Sequence, residues 1–148
     1  MSFSVEGKTT IVTGAANGIG LAIAKHFADV GANVMFADMD DEGLKKELGE
    51  ECESGSVRYF SGDLRERLTI ANLLSATIDA FERVDILVNA SRQVLLTDPL
   101  DLEDATIDVM WQQNVLNSFR LSQHVAKRMI KQAEEDTEGD GIIAVSYT

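Results

Sequence analysis

Three glycines lie within seven residues at 14–20, in the order Gly-Ala-Ala-Asn-Gly-Ile-Gly, between a β-branched run and a segment with helical spacing. In that context Gly14 permits a tight turn, Gly18 lets a ligand approach the backbone, and Gly20 allows helix and strand to pack closely. The N–H groups near Gly18 and Ile19 then face an anion from the positive end of a helix dipole. The loop therefore predicts a phosphate-binding site.

An aspartate at the end of the second predicted strand supplies another chemical signal. Asp38 follows Gly20 by eighteen residues. There a carboxylate hydrogen-bonds the adenosine ribose hydroxyls of a dinucleotide and repels a 2′-phosphate. Two like charges about 4 Å apart cost roughly 1 kcal/mol in water and roughly 4 kcal/mol near a protein surface. The neighbours Ala15 and Met39 carry no positive charge, so the sequence predicts NAD in preference to NADP.

Strands and helices must alternate to bring these residues together. Short β-branched or apolar runs predict five strands, at 9–13, 33–38, 57–61, 85–89 and 142–145. Helical spacing predicts four helices, at about 19–30, 41–51, 68–81 and 103–134. This order predicts an α/β fold with a doubly wound, Rossmann-type parallel sheet of strand order 3-2-1-4-5. We expect one dinucleotide-binding domain over residues 1–148, with its ligand at the carboxyl ends of strands 1 and 4.

The first helix carries an apolar stripe that is expected to pack against the sheet. The stripe consists of Ile19, Ala22, Ile23, His26, Phe27 and Val30, and His26 is interpreted as a histidine packed at the edge of the core. Gly31 follows at the position where glycine commonly ends a helix.

Composition limits the classes of partner. The net charge of -12 argues against nucleic acid, whose binding needs a basic face. The acidic cluster between Glu134 and Asp140 is interpreted as solvated rather than as a metal site, so no metal is expected. The single cysteine, Cys52, suits a reducing compartment. The sequence shows neither a signal peptide nor a membrane span, so a cytoplasmic protein is expected.

The glycine loop with its preceding threonine, at 13–20, resembles the Thr-Gly-x-x-x-Gly-x-Gly signature of short-chain dehydrogenases/reductases of the non-extended branch. The resemblance extends over essentially the whole chain. It implies that Asp63 contacts the adenine amino group, and that the segment 89–91 forms the family's Asn-Asn-Ala-Gly turn, with Val88 and Ser91 replacing the first and last residues. The cofactor-binding residues that it implies are Gly14, Asn17, Gly18, Ile19, Gly20, Asp38, Met39, Asp63, Leu64, Asn89, Ala90 and Ser91.

The same resemblance implies NAD-linked oxidation of a small alcohol or reduction of a carbonyl. Asn114 matches the family's catalytic asparagine, and Ser146 is the candidate for the substrate-orienting serine, although Tyr147 occupies the family's second serine position. The family's Tyr-x-x-x-Lys is absent, because the only tyrosines are Tyr59 and Tyr147. The 148-residue chain is therefore expected to bind NAD without useful turnover.

Three explanations for the missing pair stay open: a fragment of a longer enzyme, a truncated gene product, or a longer chain whose remainder is not shown. The family's last strands are also absent. The alternative function is a non-enzymatic NAD-binding module that self-associates through the fifth strand or the long helix. The family commonly forms homo-oligomers. A methyltransferase shares the sheet type and the acid after strand 2, but its glycine loop is spaced differently.

Overall fold

The computed structural model describes residues 4–49, 52, 55–100, 104–136 and 145–146. The strands are β1 (Thr9–Thr13), β2 (Asn33–Asp38), β3 (Val57–Ser61), β4 (Ile86–Asn89) and β5 (Val145–Ser146). The helices are α1 (Gly18–Asp29), α2 (Asp41–Leu48), α3 (Arg67–Phe81), α4 (Asp104–Trp111) and α5 (Asn117–Glu135), with a π-helical segment (Gln112–Leu116) joining the last two. All strand pairs are parallel and the order is β3-β2-β1-β4-β5. The predicted Rossmann-type fold and strand order are confirmed.

The sheet is buried on both faces because successive side chains of a strand point in opposite directions. In β1, Ile11 belongs to the apolar cluster that includes buried residues of α3 and α5. Val12 belongs to the opposite cluster, which includes buried residues of α1 and α2. The sheet therefore lies between two apolar clusters, and the functional groups lie where its strands end.

Helix α1 is fully buried only at two small residues, so the predicted stripe was partly wrong: Ile23 and Phe27 are half-buried and pack against the core, whereas the other members of the stripe are exposed. Gly20 and Ala24 are its buried residues, whereas Ile19 is 57% exposed and His26 is also exposed. A residue without a side chain lets the helix axis approach β1 closely, and the larger apolar side chains then lie at the margin of the contact. Gly31 follows the helix with φ of +88°, as its position suggests.

Other element boundaries also differ from the prediction. Helix α2 ends at Leu48, because Gly49 adopts φ of +86°. Asp85 precedes β4, and its carboxylate accepts a hydrogen bond from the Thr9 N–H at 2.9 Å. The predicted helix 103–134 is interrupted by the π-helical segment. In the predicted strand 142–145, residues 142–144 lie outside the described residues.

Among the described residues, no helix combines the length and hydrophobicity needed to cross a membrane. Within the same ranges, no three His, Cys, Asp or Glu residues are grouped so that they could hold a metal ion.

Candidate functional site

A cleft of about 410 Å³ lies at the carboxyl ends of the central strands. Every predicted cofactor-binding residue except Asn89 lines it. The lining residues are Gly14, Asn17, Gly18, Ile19, Gly20, Ala37, Asp38, Met39, Gly62, Asp63, Leu64, Ala90, Ser91, Arg92 and Gln113. The cleft thus collects segments that follow β1, β2, β3 and β4, as expected for a ligand site in an open parallel sheet.

The glycine loop has three different steric situations. Gly14 has φ of +66°, and a Cβ there would lie 2.8 Å from the Ala90 carbonyl oxygen. A Cβ at Gly20 would collide with the Gly14 carbonyl. Gly18 has φ of +57° but would meet no atom within 4 Å, so its surroundings are open. Gly14 and Gly20 are needed for close packing, whereas Gly18 leaves the backbone accessible from the cleft.

The start of α1 is suited to an anion. Asn17 is the N-cap residue but makes no side-chain capping bond, and the first turn holds no acidic residue. The first N–H groups of a helix have no intrahelical partner, and they carry the positive end of the helix dipole. Because Asn17, Gly18 and Ile19 line the cleft, these donors are available to a phosphate group there.

Asp38 is fixed at the end of β2 by two backbone donors. The Ala16 N–H donates to Oδ2 at 3.0 Å, and the Asp40 N–H donates to Oδ1 at 3.1 Å. A carboxylate has about four acceptor positions, so two of them remain for a ligand. The glycine loop and the carboxylate are therefore coupled directly through Ala16.

Asp63, after β3, is held by a residue that the sequence analysis did not single out. The Arg65 guanidinium donates to both carboxylate oxygens of Asp63, with Nε at 3.0 Å from Oδ1 and 2.9 Å from Oδ2. These hydrogen bonds to Arg65 hold the pKa of Asp63 below its ordinary value. Asp63 therefore lines the cleft as a carboxylate rather than as an acid.

The turn after β4 is tied to β1 through a threonine. Thr13 Oγ1 accepts hydrogen bonds from the Ala90 N–H at 3.1 Å and the Ser91 N–H at 3.2 Å. Asn89 does not line the cleft: it is 2% exposed, and its side-chain amide donates to Ser122 Oγ at 3.0 Å. Its place is behind the cleft, where it joins β4 to α5.

The two predicted catalytic residues lie near this turn. Asn114 lies in the π-helical segment, where its amide pairs with the backbone of Gln93 in both directions. Asn114 does not itself line the cleft, but its neighbour Gln113 does. Ser146 pairs with Asn89 in the register of β4 and β5, and Tyr147 lies outside the described residues.

Further lining residues were missed by the sequence analysis. Arg92 is the only cationic side chain that lines the cleft within the described part of the chain. Gly62 also lines it, and a Cβ there would lie 2.6 Å from Thr69 Cγ2. Arg92 directly follows the 89–91 turn, and this position in the sequence could have identified it as a lining residue. No local sequence pattern could have identified Gln113 as one.

Comparisons with known proteins agree with this geometry. The family model described as short chain dehydrogenase matches residues 8–146. D-threitol dehydrogenase of Mycolicibacterium smegmatis is 34% identical over 132 residues, which cover 87% of this chain and 50% of that protein. The NAD-dependent glycerol dehydrogenase of Listeria innocua is 27% identical over 128 residues, which cover 86% and 50%. The chain therefore spans about half the length of these curated relatives.

A solved structure shows the same fold with a bound dinucleotide. The 3-ketoacyl-(acyl-carrier-protein) reductase from Brucella melitensis, complexed with NADH, superposes with a TM-score of 0.85 at 25% identity, covering 97% of this chain and 57% of that one. Members of this family bind nicotinamide dinucleotides, NAD or NADP. On the family match, the fold and the cleft together, this chain belongs to the short-chain dehydrogenase family and corresponds to the N-terminal portion of its members.

Proposed function

We propose that the cleft binds NAD. The pyrophosphate lies at the start of α1, where Gly18 leaves the backbone open. The adenosine lies toward β2 and β3, with its ribose at Asp38 and its adenine at Asp63. The nicotinamide half lies toward the turn at Ala90 and Ser91. This direction follows from the strand order, because Asp38 and the 90–91 turn lie on opposite sides of β1.

The observation that supports NAD over NADP is the anchoring of Asp38. Two backbone N–H groups hold its carboxylate at the end of β2, so it cannot simply turn away from a 2′-phosphate. The only cationic residue lining the cleft in the described ranges is Arg92, which follows β4 rather than β2. A 2′-phosphate would therefore meet a fixed negative charge without a nearby compensating cation.

The test is a titration of the purified chain with NADH and NADPH. We expect NADH to bind about tenfold or more tightly, since one like-charge contact costs roughly 1–4 kcal/mol. Asp38→Asn removes the charge and keeps an acceptor for one of the two backbone N–H groups that hold Asp38, so it should lower this preference. Asp29→Asn makes the same change at an exposed residue of α1 and should leave the preference intact. Equal affinity of the unaltered chain for the two cofactors would contradict the proposal.

We infer that the whole protein catalyses NAD-linked oxidation of a small alcohol or reduction of a carbonyl, while residues 1–148 alone do not. Support for the reaction class comes from the names of the relatives. The bound cofactor would accept a hydride as NAD⁺ in alcohol oxidation or donate one as NADH in carbonyl reduction, and this chain supplies binding and orientation. The 148 residues contain no Tyr-x-x-x-Lys, and a general acid/base contributes about 10²–10⁴-fold in rate. Oxidation of NADH by the 148-residue chain with a panel of aldehydes and ketones would refute this assignment.

A second candidate function, a self-associating NAD-binding module, is favoured by one surface. Ile107, Trp111, Val115 and Phe119 recur every four residues along α4, the π-helical segment and α5, and all are more than 40% exposed. Exposed apolar side chains in such a row are typical of an interface. Sedimentation of the chain should show a dimer that Trp111→Glu dissociates, whereas a monomer at every concentration would exclude this candidate.

A further inference from the structure

The carboxylate of Asp63 is held from two directions by Arg65, two residues further along the chain. The Arg65 backbone N–H donates to Oδ1 at 2.9 Å, and the guanidinium Nε donates to the same oxygen at 3.0 Å. On the other oxygen, Oδ2 accepts from Nε at 2.9 Å and from Nη2 at 2.5 Å. A planar guanidinium that engages both oxygens fixes the orientation of a carboxylate as well as its charge.

The two residues lie differently with respect to the cleft. Asp63 is among the lining residues, whereas Arg65 is not. Both side chains are about one third exposed, at 29% for Asp63 and 35% for Arg65. The guanidinium therefore holds the carboxylate from outside the cleft, and the Asp63 carbonyl accepts the Glu66 N–H at 3.1 Å, which fixes the backbone of the same turn.

The remaining acceptor capacity of Asp63 is small and directional. An ionised carboxylate offers about four acceptor positions. Oδ1 uses two of them on Arg65, and Oδ2 uses one on Nη2 and shares Nε. About one position on Oδ2 is left for a ligand. An aspartate is ionised at neutral pH, and Arg65 holds the pKa of Asp63 below its ordinary value, so this position accepts a hydrogen bond and does not donate one.

We propose that Arg65 is a positioning residue for base recognition: it holds Asp63 so that the site selects a dinucleotide whose base carries an amino group over one whose base carries an oxo group at the same position. This inference rests on the proposed function, in which the adenine lies beside Asp63. An adenine amino group donates to the free position of Oδ2. The oxo group of hypoxanthine presents an acceptor there, and two acceptors repel each other.

The test compares two dinucleotides that differ only in the base. NADH and its hypoxanthine analogue are titrated into the unaltered chain, Arg65→Ala and Arg65→Lys. We expect Arg65→Ala to weaken NADH binding about three- to tenfold, the range for a charge-assisted contact at a partly exposed site. Binding of the hypoxanthine analogue should change by less than about twofold, and Arg65→Lys should lie between, because lysine restores charge without the planar fork.

Two controls separate this role from a general loss of charge or of folding. Arg67→Ala removes the same charge from an exposed residue at the start of α3 and should leave both affinities unchanged. In an Asp63→Asn background, Arg65→Ala should no longer alter the ratio of the two affinities, because Arg65 acts through Asp63. The Asp63 pKa, followed by NMR, should rise toward its ordinary value of 3.8 in Arg65→Ala.

The possible results are distinguishable. If Arg65→Ala weakens both dinucleotides equally, or strengthens NADH binding, the positioning role is wrong while NAD binding stands. If the unaltered chain binds NADH but does not prefer it to the hypoxanthine analogue, base selection by Asp63 is wrong. If neither dinucleotide binds to the unaltered chain, the proposed function itself fails, and the inference fails with it.

Discussion

The side-chain amide of Asn114 is paired with the backbone of Gln93 in both directions. Its Oδ1 accepts the Gln93 N–H at 2.7 Å, and its Nδ2 donates to the Gln93 carbonyl at 2.8 Å. Gln93 follows the turn that lines the cleft, and Asn114 lies in the π-helical segment. The amide therefore connects the distorted helix to the segment after β4, which is a positioning role that needs no contact with a ligand.

Asn114→Asp tests this connection with almost no change in shape. The carboxylate can still accept the Gln93 N–H, but its second oxygen would face the Gln93 carbonyl. We expect the free energy of unfolding to fall by about 1–3 kcal/mol. Gln123→Glu makes the same amide-to-acid change at an exposed position of α5 and should have a small effect. Urea denaturation measures both, and equal stability of the two variants would contradict the account.

Two threonines of β1 should respond oppositely to replacement by valine. Thr13 Oγ1 accepts two backbone N–H groups of the cleft turn, so Thr13→Val leaves both without that partner and should cost about 1–3 kcal/mol of unfolding free energy. Thr10 Oγ1 is buried and has no hydrogen-bond partner among the described residues. Thr10→Val should therefore be neutral or slightly stabilising. The prediction fails if thermal unfolding shows Thr10→Val to be the more harmful change.

Substitutions at two glycines of the loop should affect different properties, with Gly20 important for folding stability and Gly18 for ligand binding. A Cβ at Gly20 collides with the Gly14 carbonyl, so Gly20→Ala should destabilise the fold by about 1–3 kcal/mol. Gly18→Ala faces open space and a left-handed φ of +57°, so its folding cost should be about 1 kcal/mol. Its methyl group would nevertheless stand where the phosphate approaches, and NADH affinity should fall about tenfold, equivalent to roughly 1.4 kcal/mol. Calorimetric titration of a folded Gly18→Ala that still binds NADH normally would contradict this division.

Arg92 should contribute an ionic component to binding. It lines a cleft that also contains Asp38 and Asp63, in a chain of net charge -12, and the proposed ligand carries a dianionic pyrophosphate. Arg92→Ala should weaken NADH binding about three- to tenfold at low salt, and the difference should shrink above roughly 0.15 M salt. Lys127→Ala removes a charge from an exposed site of α5 and serves as the control. A loss independent of salt would show that Arg92 acts by packing instead.

The sequence predicted three strands to the residue, because each is a short β-branched or apolar run whose limits are set by its immediate neighbours in the chain. β1, β2 and β3 begin and end where predicted. The glycine loop and Asp38 were also predictable, since their spacing follows from the strand–turn–helix unit that positions them. All of these features are determined within about thirty residues of sequence.

Features that depend on distant contacts were not predictable in this way. The π-helical segment interrupts a helix whose apolar spacing continues through it, and its Asn114 is bonded to Gln93, 21 residues away. Arginine is common on protein surfaces, so the sequence alone does not single out Arg65. Only the hydrogen bonds from its guanidinium to Asp63 indicate the proposed positioning role. Asn89 was expected at the cofactor because of the turn that it begins, but a contact with Ser122, 33 residues away, turns its amide to α5.

The most direct test of NAD binding is an NMR titration of the isotopically labelled 148-residue chain with NADH. If NAD binds in the cleft, NADH should cause saturable shifts of the backbone amides at Gly14, Gly18, Ile19, Asp38 and Asp63, with little change at the far end of α5. Failure of these amides to shift up to millimolar NADH, or saturable shifts confined to another surface, would contradict NAD binding in the cleft.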